Sequence, residues 1–106
     1  MMRPELKDRF DLEIRNNKIV LYMKGTADFP RCGFSAAAME ALRPFGRVHT
    51  VDVLADSEVR DAIKEYSNWP TIPQIYINGK FIGGSDIIRE LAERGELGDI
   101  VEGRTS

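Results

Sequence analysis

"IVLYMKGTADFPRCGFSAAAMEAL", residues 19–42, joins an unbroken apolar run to a cysteine and then to a run of small residues. Residues 19–23 are too few for a typical helix and rich in β-forming types, so they read as a central strand buried on both faces. From Gly33 to Leu42, Ala36, Ala37 and Ala38 with Met39 and Leu42 favour a helix that Pro44 and Gly46 close. Its small-residue face permits close packing on a sheet. Cys32, the only cysteine of the chain, falls at the junction of the two. Unpaired backbone N–H groups and the helix dipole stabilise a negative sulfur there, so the thiol pKa is expected to fall below its free value of roughly 8.5. Lys24 adds positive charge nearby, and Gly33 leaves open space beside the sulfur. Free cysteine is often buried and inert. Its neighbours Pro30, Arg31 and Gly33, in a loop between strand and helix, speak for an exposed reactive thiol instead.

Outward from this stretch the pattern continues in alternating elements. Leu6, Phe10 and Ile14 recur every four residues and mark one face of a helix beginning at Pro4. "RVHTVDV", residues 47–53, alternates as a second strand, and "SEVRDAIKEY", residues 57–66, is expected to be a serine-capped helix with Val59, Ile63 and Tyr66 inward. The two strands so far form a βαβ unit and should be parallel. "QIYI", then Asn78-Gly79, then "KFI" signals an antiparallel hairpin, because Asn-Gly supplies the positive φ values that a two-residue turn needs. Gly83 and Gly84 break its second strand. "SDIIRELAERG" is a last helix, with Ile87, Ile88 and Leu91 inward and Gly95 as its stop. This order predicts an α/β domain of thioredoxin-like type, a four-stranded mixed sheet flanked by helices on both faces. One domain is expected over 1–106; the chain from Glu96 adds a short turn or frays, and 1–4 and 99–106 are expected as disordered tails.

Composition narrows the partners. With 42% hydrophobic and 30% charged residues the chain falls in the ordinary globular class. Fifteen basic against seventeen acidic residues, scattered along the chain, give a net charge of −2 and no basic stripe, which disfavours nucleic acid and anionic membranes. A single thiol excludes an internal disulfide and suggests a reducing compartment. The charged N-terminus lacks the apolar run of a signal peptide, and no stretch is long enough to span a bilayer. His49, the lone histidine, has no companion at metal-binding spacing and is expected to be structural or exposed.

"KGT", "CGFS", "SNWPTIPQ", "NG" and "IGGSD", in this order and spacing, resemble the single-domain monothiol glutaredoxins of CGFS type over about residues 5–97. Ala27 departs from the commoner "KGTP" of that family and touches no chemical group. The resemblance implies a site for glutathione made by Lys24, Cys32, Phe34, Arg60, Thr71, Ile72, Pro73, Gly84, Ser85 and Asp86. In it, Lys24 and Arg60 receive the glycine carboxylate. Pro73 is cis and turns out the main-chain groups of Ile72 for strand-like pairing with the tripeptide. The amides opening the last helix at Gly84 and Ser85 take the γ-glutamyl carboxylate, and Asp86 takes the ammonium. A helix cap is the plainer reading of those last residues, and both readings can hold together. Phe34 and Trp69 either flank the site or merely cover the sheet edge.

Ser35 stands where dithiol relatives have a second cysteine, and a hydroxyl cannot resolve a mixed disulfide; it either joins the first helical turn or acts directly. The resemblance further implies a [2Fe–2S] cluster, with Cys32 as metal ligand. Such a cluster normally takes four thiolates, so two chains and two glutathiones would complete it as a homodimer that passes it to iron–sulfur recipient proteins. The competing readings are a glutathione-dependent thiol–disulfide oxidoreductase, in which Cys32 performs a one-thiol deglutathionylation, and an adaptor for BolA-type proteins. A bacterial cytoplasmic location is expected, with the mitochondrial matrix as the alternative.

Overall fold

Successive side chains of a strand point to opposite faces, so a strand apolar throughout must have a core on each side. In the computed structural model, which describes residues 2–104, the first strand β1 (Ile19–Met23) is buried at all five positions and separates two apolar clusters. Val20 and Tyr22 enter one of them with Leu6, Phe10 and Ile14 of helix α1 (Pro4–Asn16) and with Val59, Ala62 and Ile63 of helix α3 (Ser57–Ser67). Ile19, Leu21 and Met23 enter the other with Ala38, Met39 and Leu42 of helix α2 (Gly33–Leu42) and Ile88 of helix α4 (Ser85–Glu93). The sheet runs β2 (His49–Asp52), β1, β3 (Gln74–Ile77), β4 (Lys80–Gly83). The β1–β2 pair is parallel; the β1–β3 and β3–β4 pairs are antiparallel. The four-stranded mixed sheet with helices on both faces is therefore the thioredoxin-like arrangement that the element order predicts.

Local chemistry explains most boundaries. Pro4 at the first position of α1 has no N–H to leave unpaired, and Asn78 and Gly79 adopt φ of 52° and 82°, the left-handed pair of a two-residue hairpin turn. Helix α3 is capped by Asp56, in place of the serine expected from the sequence. Asp56 is extended (φ −151°), and its carboxylate accepts the N–H groups of Glu58 at 2.9 Å and Val59 at 3.4 Å, while Ser57 is already helical. Asp56→Ala should therefore lower stability by about 1 kcal/mol, read as a shifted urea midpoint at unchanged slope. An unchanged midpoint would show that the cap contributes nothing.

The tails are more ordered than expected. Met2 packs against the first cluster, and Arg3 Nη2 meets Glu58 Oε1 at 2.7 Å. At the other end Leu97–Val101 forms a fifth helix, α5, whose Leu97 and Val101 are buried in the second cluster. Asn78 in the hairpin turn donates through Nδ2 to the carbonyls of Ile100 and Val101, both at 3.1 Å, closing the end of α5. Of the short turn or fraying expected from Glu96, the short turn is what forms; the sequence left the choice open because two apolar residues four apart in a five-residue segment are too few to show a period. Residues 1, 105 and 106, the remainder of those tails, lie outside the described residues.

Candidate functional site

The loop from Lys24 to Cys32 leaves β1 where the sheet ends and folds back on itself. Arg31 N–H donates to Lys24 C=O (2.9 Å), Thr26 N–H to Phe29 C=O (3.3 Å), and Phe29 N–H to Thr26 Oγ1 (3.1 Å). Gly25 and Pro30 face each other across this small hairpin. Its end delivers Cys32 in extended conformation (φ −150°, ψ 133°) as the residue preceding α2, half-buried and free of any disulfide. A Cβ built on Gly33 would meet no atom within 4 Å, so the space beside the thiol is open, as the sequence suggests.

The sulfur is tuned toward thiolate. The main-chain N–H of Ser35 has the largest effect in lowering its pKa below the ordinary value; partial burial opposes it, and the Phe34 N–H, the Lys24 ammonium and the Ser35 hydroxyl add to the lowering. Ser35 does more than join a helical turn. It is fully buried, and its Oγ accepts the Lys24 N–H at 3.0 Å, so one hydroxyl links the end of β1 to the thiol. A thiol whose folded pKa is depressed contributes stability above the unfolded value, and that contribution is lost as the pH falls through the folded pKa. Below both pKa values the native chain should hold a larger thiolate fraction than the urea-unfolded chain, by about tenfold for each unit between them, read from the ultraviolet absorbance of the thiolate against pH. Equal thiolate fractions at every pH would remove the electrostatic account of Cys32.

Beside the thiol runs a groove of about 450 Å³. It is lined by Lys24 and Phe34 from either side of the thiol, Lys64 of α3, the segment from Trp69 to Pro73, and Gly84 to Ile87 at the start of α4. The Ile72–Pro73 peptide is cis, and neither the N–H nor the C=O of Ile72 has a hydrogen-bond partner among the described residues. Gly84 precedes α4 with no side-chain cap, which leaves the first amides of that helix open. A Cβ on Gly84 would lie 3.3 Å from Pro73 C=O and 3.6 Å from Trp69 Nε1, so the lack of a side chain lets the two walls meet. Phe34, at 63% exposed, is a solvent-facing aromatic rim.

Eight of the sequence-predicted residues, Lys24, Phe34, Thr71, Ile72, Pro73, Gly84, Ser85 and Asp86, are thus brought together; Cys32 is not in the lining itself but adjoins it through Phe34, whose N–H its sulfur accepts, and through the charge of Lys24. Arg60 is not in the lining: its Nε lies 3.5 Å from Asp61 Oδ1, without hydrogen-bond geometry. Asp86 is exposed and 3.5 Å from Arg89. His49 is half-buried, with Nε2 3.5 Å from Glu13 Oε2. Lys64 was missed by sequence reasoning, although it stands one turn beyond Arg60 on the same helix face, a spacing that could have singled it out. Gln74 was missed too. It is fully buried, and its Nε2 donates to the carbonyls of Trp69 (3.0 Å) and Thr71 (3.2 Å), bracing the groove wall. Among the described residues no group of three or more His, Cys, Asp or Glu could hold a metal ion, and no helix is long and apolar enough to cross a membrane.

Comparison with known proteins agrees with this geometry. Residues 19–82 match the family model Glutaredoxin. The chain is 53% identical over 102 residues to a ycf64-like monothiol glutaredoxin of Synechocystis sp., covering 95% of each chain. It is 45% identical over 102 residues to the mitochondrial monothiol glutaredoxin-5 of Saccharomyces cerevisiae, covering 92% of this chain and 68% of that one. The solution structure of reduced apo GrxS14 from poplar superposes with a TM-score of 0.82 at 44% identity, covering 93% of this chain and 92% of the other. With a lone thiol opening α2, a cis-proline wall beside it and these likenesses over nearly its whole length, the chain belongs to the monothiol glutaredoxins.

Proposed function

We propose that the chain binds glutathione in the groove beside Cys32, and that two chains with two glutathiones hold a [2Fe–2S] cluster as cargo for recipient iron–sulfur proteins. The observation that carries this reading is a half-exposed, thiolate-favouring sulfur beside a groove that is lined by the cations Lys24 and Lys64 and, on a separate element, by the open amides of α4. Such a lining suits a short peptide with a carboxylate at each end. Lys24 and Lys64 would face the glycine carboxylate, with Arg60 behind them on α3. The unpaired main-chain groups of Ile72 would pair with the peptide backbone, aided by Thr71 and Pro73. The amides at Gly84 and Ser85 would receive the γ-glutamyl carboxylate, and Asp86 its ammonium.

The donor set fits a shared cargo. One thiolate per chain, with no further ligand cluster among the described residues, cannot enclose iron alone but can supply one of four sulfurs. Two exchangeable small thiols in the shell would ease release to a recipient. A joint complex with BolA-type proteins belongs to the same proposal, on the strength of the family. The proposed compartment is the bacterial cytoplasm, with the mitochondrial matrix second; a cyanobacterial and a mitochondrial protein are both among the relatives.

The lowered thiol pKa also favours a second reading, one-thiol exchange. The Cys32 thiolate attacks the glutathione sulfur of a mixed disulfide and the protein thiolate departs; a second glutathione thiolate then attacks that sulfur, yielding glutathione disulfide and restoring Cys32. Anaerobic purification with iron, sulfide and glutathione separates the two. Visible charge-transfer bands with a mass of two chains support the carrier. A colourless monomer turning over glutathione mixed disulfides rapidly rejects it in favour of the enzyme.

A further inference from the structure

Asp52, the last residue of β2, reaches across to the loop that carries the thiol. Its Oδ1 accepts the N–H of Gly25 at 2.9 Å and that of Leu54 at 2.9 Å, so both hydrogen bonds to this carboxylate come from main-chain amides. The first has a consequence for Lys24. The peptide joining Lys24 to Gly25 is held on both sides, its C=O accepting Arg31 N–H at 2.9 Å and its N–H donating to Asp52. Lys24 N–H is held in turn by Ser35 Oγ at 3.0 Å. With the main-chain groups flanking its Cα fixed, the direction in which the Lys24 side chain leaves is fixed as well. That direction is into the groove.

We propose that Asp52 is a positioning residue of the site: from β2 it locks the Lys24–Gly25 peptide, so that the Lys24 ammonium faces the groove and the Cys32 sulfur. The proposal rests on the reading of Lys24 as a binding cation and adds the group that aims it. Two amide donors on one carboxylate oxygen make a charge-assisted contact stronger than an ordinary hydrogen bond. Gly25 sits in the left-handed region, at φ 93°, where the peptide has few alternatives once it is tied down. The plainer role for Asp52 is to hold the turn after β2 through Leu54 N–H, and a test must tell the two apart.

The ratio of Cys32 alkylation rates with anionic iodoacetate and neutral iodoacetamide reports whether a cation stands beside the sulfur. It needs neither glutathione nor iron, so its outcome is separate from that of the proposed function. Lys24→Ala should lower the ratio about threefold at low salt, an effect that fades as salt screens it. Asp52→Ala should lower it by a similar factor, and the double variant should fall no further than Lys24→Ala alone. Asp52→Glu keeps the charge but lengthens the reach, and should also lower the ratio. Asp52→Asn keeps the accepting oxygen and should hold the ratio at or above that of the unaltered chain. If Asp52 acted only through its charge, Asp52→Ala would raise the ratio and Asp52→Glu would leave it alone, which overturns the proposal. So does a lowered Tm with an unchanged ratio, losses that multiply in the double variant, or a ratio indifferent to Lys24. Asp52→Glu and Asp52→Asn keep the question decidable should Asp52→Ala fail to fold.

Discussion

Cys32→Ser should leave a folded chain that retains no iron–sulfur chromophore and forms no mixed disulfide with glutathione. The loss is expected to be complete, since no other cysteine exists to replace the ligand. A serine hydroxyl fits the same space and can accept the same amide hydrogen bonds, but it stays protonated at neutral pH and binds iron poorly. Because Cys32 is half-buried at a loop–helix junction and outside both core clusters, stability should change by no more than about 0.5 kcal/mol. Visible absorbance, iron content and native mass after anaerobic reconstitution check the first part, and urea denaturation the second. Undiminished absorbance in the Cys32→Ser chain would mean that iron is held elsewhere, and the carrier proposal would fail with it. Loss of absorbance together with loss of folding would leave Cys32 a structural residue.

The fold was legible because its decisive elements carry single-valued signals. A five-residue apolar strand, an Asn-Gly turn and a helix beginning at proline each admit few conformations, and their order admits few topologies. The thiol's placement was legible for the same reason, since a cysteine between such a strand and such a helix must open the helix. What was hidden are interactions between segments distant in sequence. Asn78 closing α5 spans 22 residues, and Asp52 holding Gly25 spans 27. No periodicity encodes either. Asp56 as the cap of α3 was misplaced by one residue, because Asp and Ser are near-equal caps and only the backbone shows which of the two is extended. Lys64 went unnoticed beside Arg60: both are cations on one face of α3, and only the fold shows that Lys64 is the one in the groove lining.

These hidden contacts share a purpose. The site is assembled from the end of β1, the segment before β3 and the start of α4, three places that no one hydrophobic cluster unites. Packing alone sets them to within the tolerance of apolar contact. Their final registration comes from directional bonds: Ser35 and Asp52 on the thiol loop, Gln74 on the wall before β3, and the bare Gly84 where α4 meets Pro73. Such polar ties contribute modestly to stability and strongly to geometry.

Gly25→Ala should therefore be the most damaging single methyl addition in the thiol loop. Gly25 has φ 93°, a region that costs an L-residue about 1–2 kcal/mol. Its added Cβ would stand 2.5 Å from Phe29 C=O and 2.7 Å from Arg31 N. Both are backbone atoms, and no side-chain rotation can move them aside. Relief requires opening the hairpin whose bonds join Arg31 to Lys24 and Thr26 to Phe29, which carries Cys32 away from its place. We expect a loss of about 3 kcal/mol or more in urea denaturation, a large share of a small domain's stability. The Arg31 amide should lose hydrogen-exchange protection, and the iodoacetate preference of Cys32 should fall, as is expected for Asp52→Ala. Gly33→Ala is the control, since a Cβ there meets nothing within 4 Å and should leave stability near that of the unaltered chain. A Gly25→Ala chain with an unchanged denaturation midpoint and a protected Arg31 amide would show that the loop has room the geometry denies, and the view of this site as held by backbone contacts would have to be abandoned.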